Sequence, residues 1–302
     1  MLDFKKLKSH WFEFFHTIYA TIVITTATGA LYTQKTGGDS ADFTTSLLLI
    51  FFLVYFVILL LFLILFTFKY SRKARYSEAT KCVHNALHIS RNAYHYLDWC
   101  NSPVKDSVHF DNERFNKYMT DALSSACMAF TLVTGVRCRT SIKVIGQTAD
   151  QQLYVTTLAR DTVSSNECAH KDRNESPEKH LILSNTDFHL IMQDMLPYFF
   201  SNDLPNYPNY SNTSINDYAP SKGSKWTLPY KSTIVFPIRY VWTKEEVSNF
   251  AVDNEKNNKD IYGFLTVDCS SKEVFESYDV DMGAALADAL FPIFNAYVKF
   301  KS

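Results

Sequence analysis

Residues 47–66 read LLLIFFLVYFVILLLFLILF, and the hydroxyl of Tyr55 is the one polar side-chain group among them. As a helix rising about 1.5 Å per residue, the run is about 30 Å long, the thickness of a bilayer's hydrocarbon core. Leu, Ile, Phe and Val each favour insertion by a few tenths of a kcal/mol, on the order of 5–10 kcal/mol over the run. A soluble protein would have to surround this cylinder with core on every side. The run therefore predicts a membrane span, which its flanks extend to about residues 45–68.

Upstream lies a second, less pure apolar stretch, WFEFFHTIYATIVITTATGALY at 11–32. Glu13 and His16 sit near its start, within reach of the interface. No small-residue cleavage site follows it and another span begins a dozen residues later, so it reads as a first span rather than a signal peptide. Lys5, Lys6 and Lys8 precede the pair of spans, and Lys69, Arg72, Lys73 and Arg75 follow it. The connecting loop carries Lys35 with Asp39 and Asp42, and Gly37 and Gly38 supply its turn. Basic flanks stay in the cytoplasm, which predicts a hairpin with both termini in the cytoplasm and the loop outside.

The two spans differ in kind. The second has no Gly, Ala or Ser between Leu47 and Phe66, and every face suits lipid. The first carries Thr17, Thr21, Thr25 and Thr28 within an arc of about 80° at 100° per residue. Thr21, Thr25 and Gly29 also form a small-xxx-small series that lets membrane helices approach closely. Two readings stay open: a helix-contact stripe, or an inward-facing ring of hydroxyls in a homo-oligomeric pore.

The remaining chain is acidic. Residues 1–76 hold eight Lys/Arg and four Asp/Glu, which leaves 22 basic and 27 acidic residues beyond them. Such a body is a poor non-specific binder of nucleic acid, because that binding runs on phosphate neutralisation. All six cysteines fall in this part without a CxxC, as expected of cytosolic thiols.

Residues 77–99 read as a helix, with Ala79, Val83, Ala86, Leu87, Ala93, Tyr94 and Leu97 recurring at three and four. His84, His88 and His95 share the neighbouring face with Cys82 close by. No carboxylate completes a metal set, so this is a solvated polar face. A connector through Pro103 follows, to about residue 111. A helix at 112–135 closed by Gly135 comes next, then strands at 139–146 and 152–161. The interval after them is polar, and its Cys168, His170 and His180 are too scattered to predict zinc. A helix follows at 185–200, then a long loop at 201–225 rich in Asn, Tyr, Ser and Pro. Loops of that length are usually functional or disordered. Strands at 231–241 and 261–269 and a helix at 281–297 end the series. This order predicts an α+β body, an antiparallel sheet with helices packed on it, over residues 112–302. Residues 1–76 form the hairpin and 77–111 the linker.

The strand YGFLTVDCSS, followed by a Phe and a closing helix, resembles a divergent GAF-type sensor domain over about residues 112–300. The residue set of cyclic-nucleotide GAF domains is absent, so that ligand is not implied. Two amino-terminal spans with a cytosolic GAF-like domain are similar to the transmembrane effectors of bacterial anti-phage systems, especially those encoded beside retron reverse transcriptases. That resemblance implies a toxic inner-membrane effector. A reverse transcriptase with its branched RNA–DNA product would hold it silent. Its release would permeabilise the membrane in abortive infection. The alternative is a membrane-anchored GAF-like ligand sensor without pore activity.

No P-loop, HExxH, GxSxG or GxGxxG occurs, and no nucleophile–base pair is in view, so no enzyme, cofactor or metal is expected. Candidate pocket residues sit at strand ends and beside the long loop: Arg160, Asp161 and Asp268, with Asp203, Tyr230, Lys231 and Arg239. Each has an ordinary surface charge or strand-end cap as its alternative.

Overall fold

The computed structural model describes residues 40–102, 109–174, 176, 179–194, 196–215, 226–241 and 259–301. The first predicted span with Thr17, Thr21, Thr25, Thr28 and Gly29, the turn at Gly37 and Gly38, and the break at Pro103 lie outside the described residues. So does the second half of the long loop.

The helices and strands run in the order α1 (Ser40–Asn101), α2 (Asn112–Thr134), β1 (Cys138–Gln147), β2 (Leu153–Arg160), α3 (Thr162–Asn174) and α4 (Thr186–Gln193). Then come β3 (Phe199–Ser201), β4 (Ser232–Val241), β5 (Lys259–Cys269) and α5 (Ser277–Lys301). The chain divides into two units at Ser71/Arg72.

In the first unit, Ile50–Thr67 is the one helical segment among the described residues long and apolar enough to cross a membrane. Its mean hydropathy is 3.1 and none of it is buried. A soluble core helix would bury such a surface, so its exposure agrees with a lipid-facing span.

The second unit is an α+β body around a five-stranded antiparallel sheet of order β2-β1-β5-β4-β3. Alternation along the strands builds it. On β5, Leu265, Val267 and Cys269 face one side, and Phe264, Thr266 and Asp268 face the other. On β4, Ile234 and Phe236 alternate with Thr233 and Val235. The first face meets helices: Ile142, Ile234, Phe236, Ile238, Leu265 and Val267 share a buried cluster with Phe115, Met119, Leu123 and Phe130 of α2. Met282, Leu286, Leu290, Ile293 and Phe294 of α5 complete that layer.

Local chemistry sets the helix ends. Asp111 caps α2, its Oδ1 accepting from the backbone N–H of Glu113 at 2.8 Å and of Arg114 at 3.3 Å. Gly135 ends α2 in the left-handed region at φ 71°. Asp279 reaches back to accept from the N–H of Glu276 at 2.8 Å, the acidic half of a capping box at the start of α5. α5 then lies so close on the sheet that a Cβ at Gly283 would fall 2.1 Å from the Phe236 ring.

The predicted helix at 77–99 is the latter part of α1, and its seam belongs to the core of the body. Ala79, Ala86 and Ala93 recur every seven residues and are fully buried with Leu97 in the α2/α5 cluster. Leu87 and Tyr94 are more than one-third exposed and stand outside that seam. His84 and His88 are hydrogen-bonded to each other at 2.9 Å, and Arg91 contacts His88 at 2.7 Å.

Three features depart from the sequence reading. The polar interval after β2 is helical (α3), held by its N-terminal contacts rather than by an apolar stripe. The helix expected at 185–200 stops at Gln193, and Phe199–Ser201 pairs with β4 as an edge strand. Finally, Cys138 and Cys269, expected as thiols, are joined as a disulfide. They are 131 residues apart, yet the β1–β5 register sets them directly opposite each other, a proximity that spacing along the chain does not reveal.

Candidate functional site

The second face of the sheet is only partly covered by apolar side chains. Val155, Ile182, Phe188, Ile191, Phe199, Leu204, Val235 and Phe264 form a smaller core there under α4. Beside it lies a cavity of ≈ 70 Å³ whose lining is mostly polar. Its floor is the sheet: Arg160 from β2, Ser141 and Lys143 from β1, Thr266 and Asp268 from β5, Thr233 from β4. Its roof is Asn185 and Asp187 at the start of α4, with His180, Asn212, Ser214 and Tyr230 from the flanking segments.

Asn185 is the hinge of that roof. Its Nδ2 donates to the Leu181 carbonyl at 2.7 Å, and its Oδ1 accepts from the N–H and the hydroxyl of Thr213 at 3.0 and 3.1 Å. Ser211 is stitched to Thr186 through both backbone groups and the Thr186 hydroxyl. Asn212 Nδ2 donates to the phenol oxygens of Tyr210 and Tyr230 at 3.2 and 3.3 Å. The first half of the long Asn/Tyr/Ser loop is thus an ordered wall of the cavity, which gives its composition a physical purpose: short amide and hydroxyl side chains bonding to backbone.

Charges of both signs line the floor. Lys143 Nζ donates to Thr157 Oγ1 at 2.6 Å, and Arg160 Nη2 donates to the same oxygen at 3.2 Å. The Asp268 carboxylate accepts from the Thr233 hydroxyl at 2.6 Å. Burial pushes its pKa up to about 6, opposed by that hydroxyl and by the positive charges of Lys143, Arg160 and Arg139. Asp187 is 4% exposed. Its Oδ1 accepts from the N–H of Phe188 at 2.9 Å and its Oδ2 from the Tyr210 hydroxyl at 3.4 Å. Burial, with the neighbouring Asp268, pushes it up to about 7 against those hydrogen bonds.

These values set a pH dependence. Both carboxyls bind protons more tightly folded than unfolded, where an aspartate titrates near 3.9. Between about pH 4 and pH 7 the folded chain therefore holds more protons, and the stability these groups contribute is lost as pH rises through that window. Thermal unfolding of the full chain in detergent is expected at lower temperature at pH 8 than at pH 5, on the order of a few kcal/mol. Asp187→Asn should flatten the profile. A variant whose slope matches the parent's would remove Asp187 as its cause.

Of the residues singled out from the sequence, Arg160, Tyr230 and Asp268 line this cavity together. Asp161 is next to Arg160 but is turned into structure. It is 2% exposed, accepts from Thr140 N at 2.9 Å and Ser164 N at 3.0 Å, and so caps α3. Asp203 forms an ion pair with Lys272 at 2.8 Å. Lys231 is exposed, and its backbone bonds to Cys269 and Leu204. Arg239 follows a bulge in β4, where burial lowers its basicity and Asp288 of α5 opposes that shift. Sequence reasoning missed Lys143, Asn185 and Asp187. The alternation of RTSIKVIG carried a signal for Lys143, a cation on the same polar phase of the strand as Arg139 and Ser141. Among the described residues, no group of three His, Cys, Asp or Glu is placed to hold a metal ion.

No family model matches the chain, and no curated protein matches it. Its fold is similar to that of GAF domains among solved structures. The GAF domain of a phosphoenolpyruvate-protein phosphotransferase from Coxiella burnetii is 13% identical, covering 73% of this chain and 99% of its own, with TM-score 0.37. The corresponding Acinetobacter domain is 11% identical over 70% of this chain and 94% of its own, with TM-score 0.36. A type II free methionine-R-sulfoxide reductase from Thermoplasma acidophilum is 14% identical over 61% of this chain and 96% of its own, with TM-score 0.35.

Proposed function

We propose that the chain is a membrane-acting effector of a bacterial anti-phage system, restrained by a reverse transcriptase with its RNA–DNA product and toxic to the inner membrane when released. The observation that carries this reading is the segment Ile50–Thr67, apolar on every face and unburied, on the same helical element as the alanine seam of the regulatory body. Helix α1 is then the two-state element through which the state of the body reaches the membrane. Both termini are cytoplasmic. Several copies assemble with Thr17, Thr21, Thr25 and Thr28 of the first span inward and the Leu/Phe faces of the second toward lipid. The restraint contacts the acidic body through protein rather than through non-specific nucleic-acid binding, and the protein carries out no catalysis.

The polar cavity under α4 supports a second reading, a membrane-anchored ligand sensor without pore activity. Expression of the chain alone, with and without residues 1–76, separates the two. The effector reading expects growth arrest and loss of membrane potential only when the hairpin is present, with relief when the reverse transcriptase and its product are co-expressed. Harmless expression of both forms would leave the anchor reading in its place.

A further inference from the structure

We propose that Cys138 and Cys269 form a redox-controlled clasp on the helix-covered face of the sheet. It is open as two thiols in a reducing cytoplasm and closes by exchange with a low-molecular-weight disulfide of the glutathione class; this rests on the cytoplasmic placement of the body. Cytoplasm keeps thiols reduced, and the disulfides that occur there are mostly redox-sensing or catalytic.

Backbone geometry makes the bond reversible. Cys138 is the first residue of β1 and Cys269 the last of β5, set opposite each other with Cα atoms 4.6 Å apart. A disulfide spans about 4.4–6.8 Å between Cα atoms. The β1–β5 ladder keeps that separation by its own hydrogen bonds, so opening or closing the bond requires no refolding. Both side chains are buried. Their place at the end of the ladder, where strands open locally, gives a small thiol or disulfide its entry. Cys127 has no such entry: it lies inside α2, its thiol donates to the Cys138 carbonyl at 3.0 Å, and burial pushes its pKa up to about 12. It stays a neutral thiol, whereas exchange needs a thiolate.

The clasp has something to hold. On one side the Thr131 hydroxyl of α2 accepts from the Cys138 N–H at 3.1 Å. On the other, the segment between β5 and α5 is stitched down. The Ser232 hydroxyl donates to the Ser271 carbonyl at 2.8 Å, and the Asn202 side chain bonds both backbone groups of Phe275 at 2.9 and 3.0 Å. The bond therefore joins the end of α2 to the approach to α5. Those two helices share the buried cluster with Ala79, Ala86 and Ala93 of α1.

In the exchange, one cysteine thiolate attacks a sulfur of the small disulfide and expels one thiolate. The second cysteine thiolate then attacks the mixed disulfide and expels the other. Two protein S–H bonds are replaced by one S–S bond, and the small disulfide leaves as two thiols carrying both protons.

The test equilibrates the purified full chain in detergent with glutathione buffers from fully reduced to fully oxidised, approached from both ends. Acid quenching, alkylation and mass spectrometry then read the pair. It is expected to pass reversibly from two alkylated cysteines to none across the ratios that bracket the cytoplasm. The oxidised form should unfold about 10 °C higher, because the bond links residues 131 apart in the chain. Cys138→Ala combined with Cys269→Ala should remove that difference, and Cys127→Ala should keep it. A pair that stays joined in the fully reduced buffer, or never closes in the oxidised one, overturns the clasp. Both outcomes are read on the parent chain, so they decide the matter even if a variant does not fold. The same quench on growing cells tests the placement separately, with the pair expected as thiols. A pair found joined there, while the purified chain titrates as expected, would overturn the cytoplasmic placement and leave the exchange chemistry standing.

Discussion

Gly263→Val is expected to cost the body several kcal/mol and to lower its unfolding temperature by about 10 °C. Gly263 lies in β5, paired with Val144 of β1 on one side and Ile238 of β4 on the other. A Cβ built there falls 2.2 Å from the Lys143 carbonyl oxygen, which is backbone of a neighbouring strand. No side-chain rotation relieves that overlap; β1 and β5 must separate, and β5 is hydrogen-bonded on both edges. Overpacking of this kind costs about 1–3 kcal/mol and more where backbone must move. For a domain of this size each kcal/mol shifts the midpoint by about 2–4 °C. Gly146→Ala supplies the contrast. Its Cβ would meet the tip of the Tyr154 ring at 2.4 Å, and a ring can swing where a sheet cannot, so the loss should be smaller. Equal melting of Gly263→Val and the parent, measured by near-UV circular dichroism in detergent, would show that the strands are not packed as described.

Val57→Asp combined with Leu61→Asp is expected to abolish membrane integration of a chain shortened to Ser40–Ser302. Both side chains lie within Ile50–Thr67 and both are exposed. An aspartate near the centre of a span costs about 2.5–3.5 kcal/mol, so the pair removes most of the 5–10 kcal/mol that favours insertion. The two positions are four apart, on one face, and their like charges repel as well. Carbonate extraction of membranes followed by blotting reads the outcome directly. Retention of the double variant in the pellet at the parent's level would mean that something other than this segment holds the shortened chain. In the complete chain the same pair is expected to relieve growth arrest, because the proposed toxicity requires the second span.

Much of the architecture was legible along the chain. Gly135 marked the end of α2, and the strands at 139–146, 152–161, 231–241 and 261–269 each lie within a residue or two of β1, β2, β4 and β5. Period-two alternation and punctuating residues are local signals, and they act through the backbone of the segment that carries them. The elements that escaped, α3 and β3, lack such signals. Helix α3 is mostly polar and starts where Asp161 caps it, and β3 is three residues long and exists because β4 offers it an edge. The cavity was half visible. Arg160, Asp268 and Tyr230 were marked by their positions at strand ends or beside a long loop, whereas Asp161, Asp203, Lys231 and Arg239 had the same marks and went to caps, ion pairs and the far end of β4.

By itself, then, the order of residues determined that 47–66 is a helix long and apolar enough to cross a membrane and that the body is helices on an antiparallel sheet. A 20-residue apolar run and alternating strands have few other ways to bury their surface and satisfy their backbone. Only the folded body decided that Lys143 and Arg160 share one hydroxyl, that Asp187 lines the same cavity from the roof, and that Cys138 meets Cys269. Those pairings depend on strand register and on which loop is stitched over the sheet, and both are set by contacts between residues far apart in the chain.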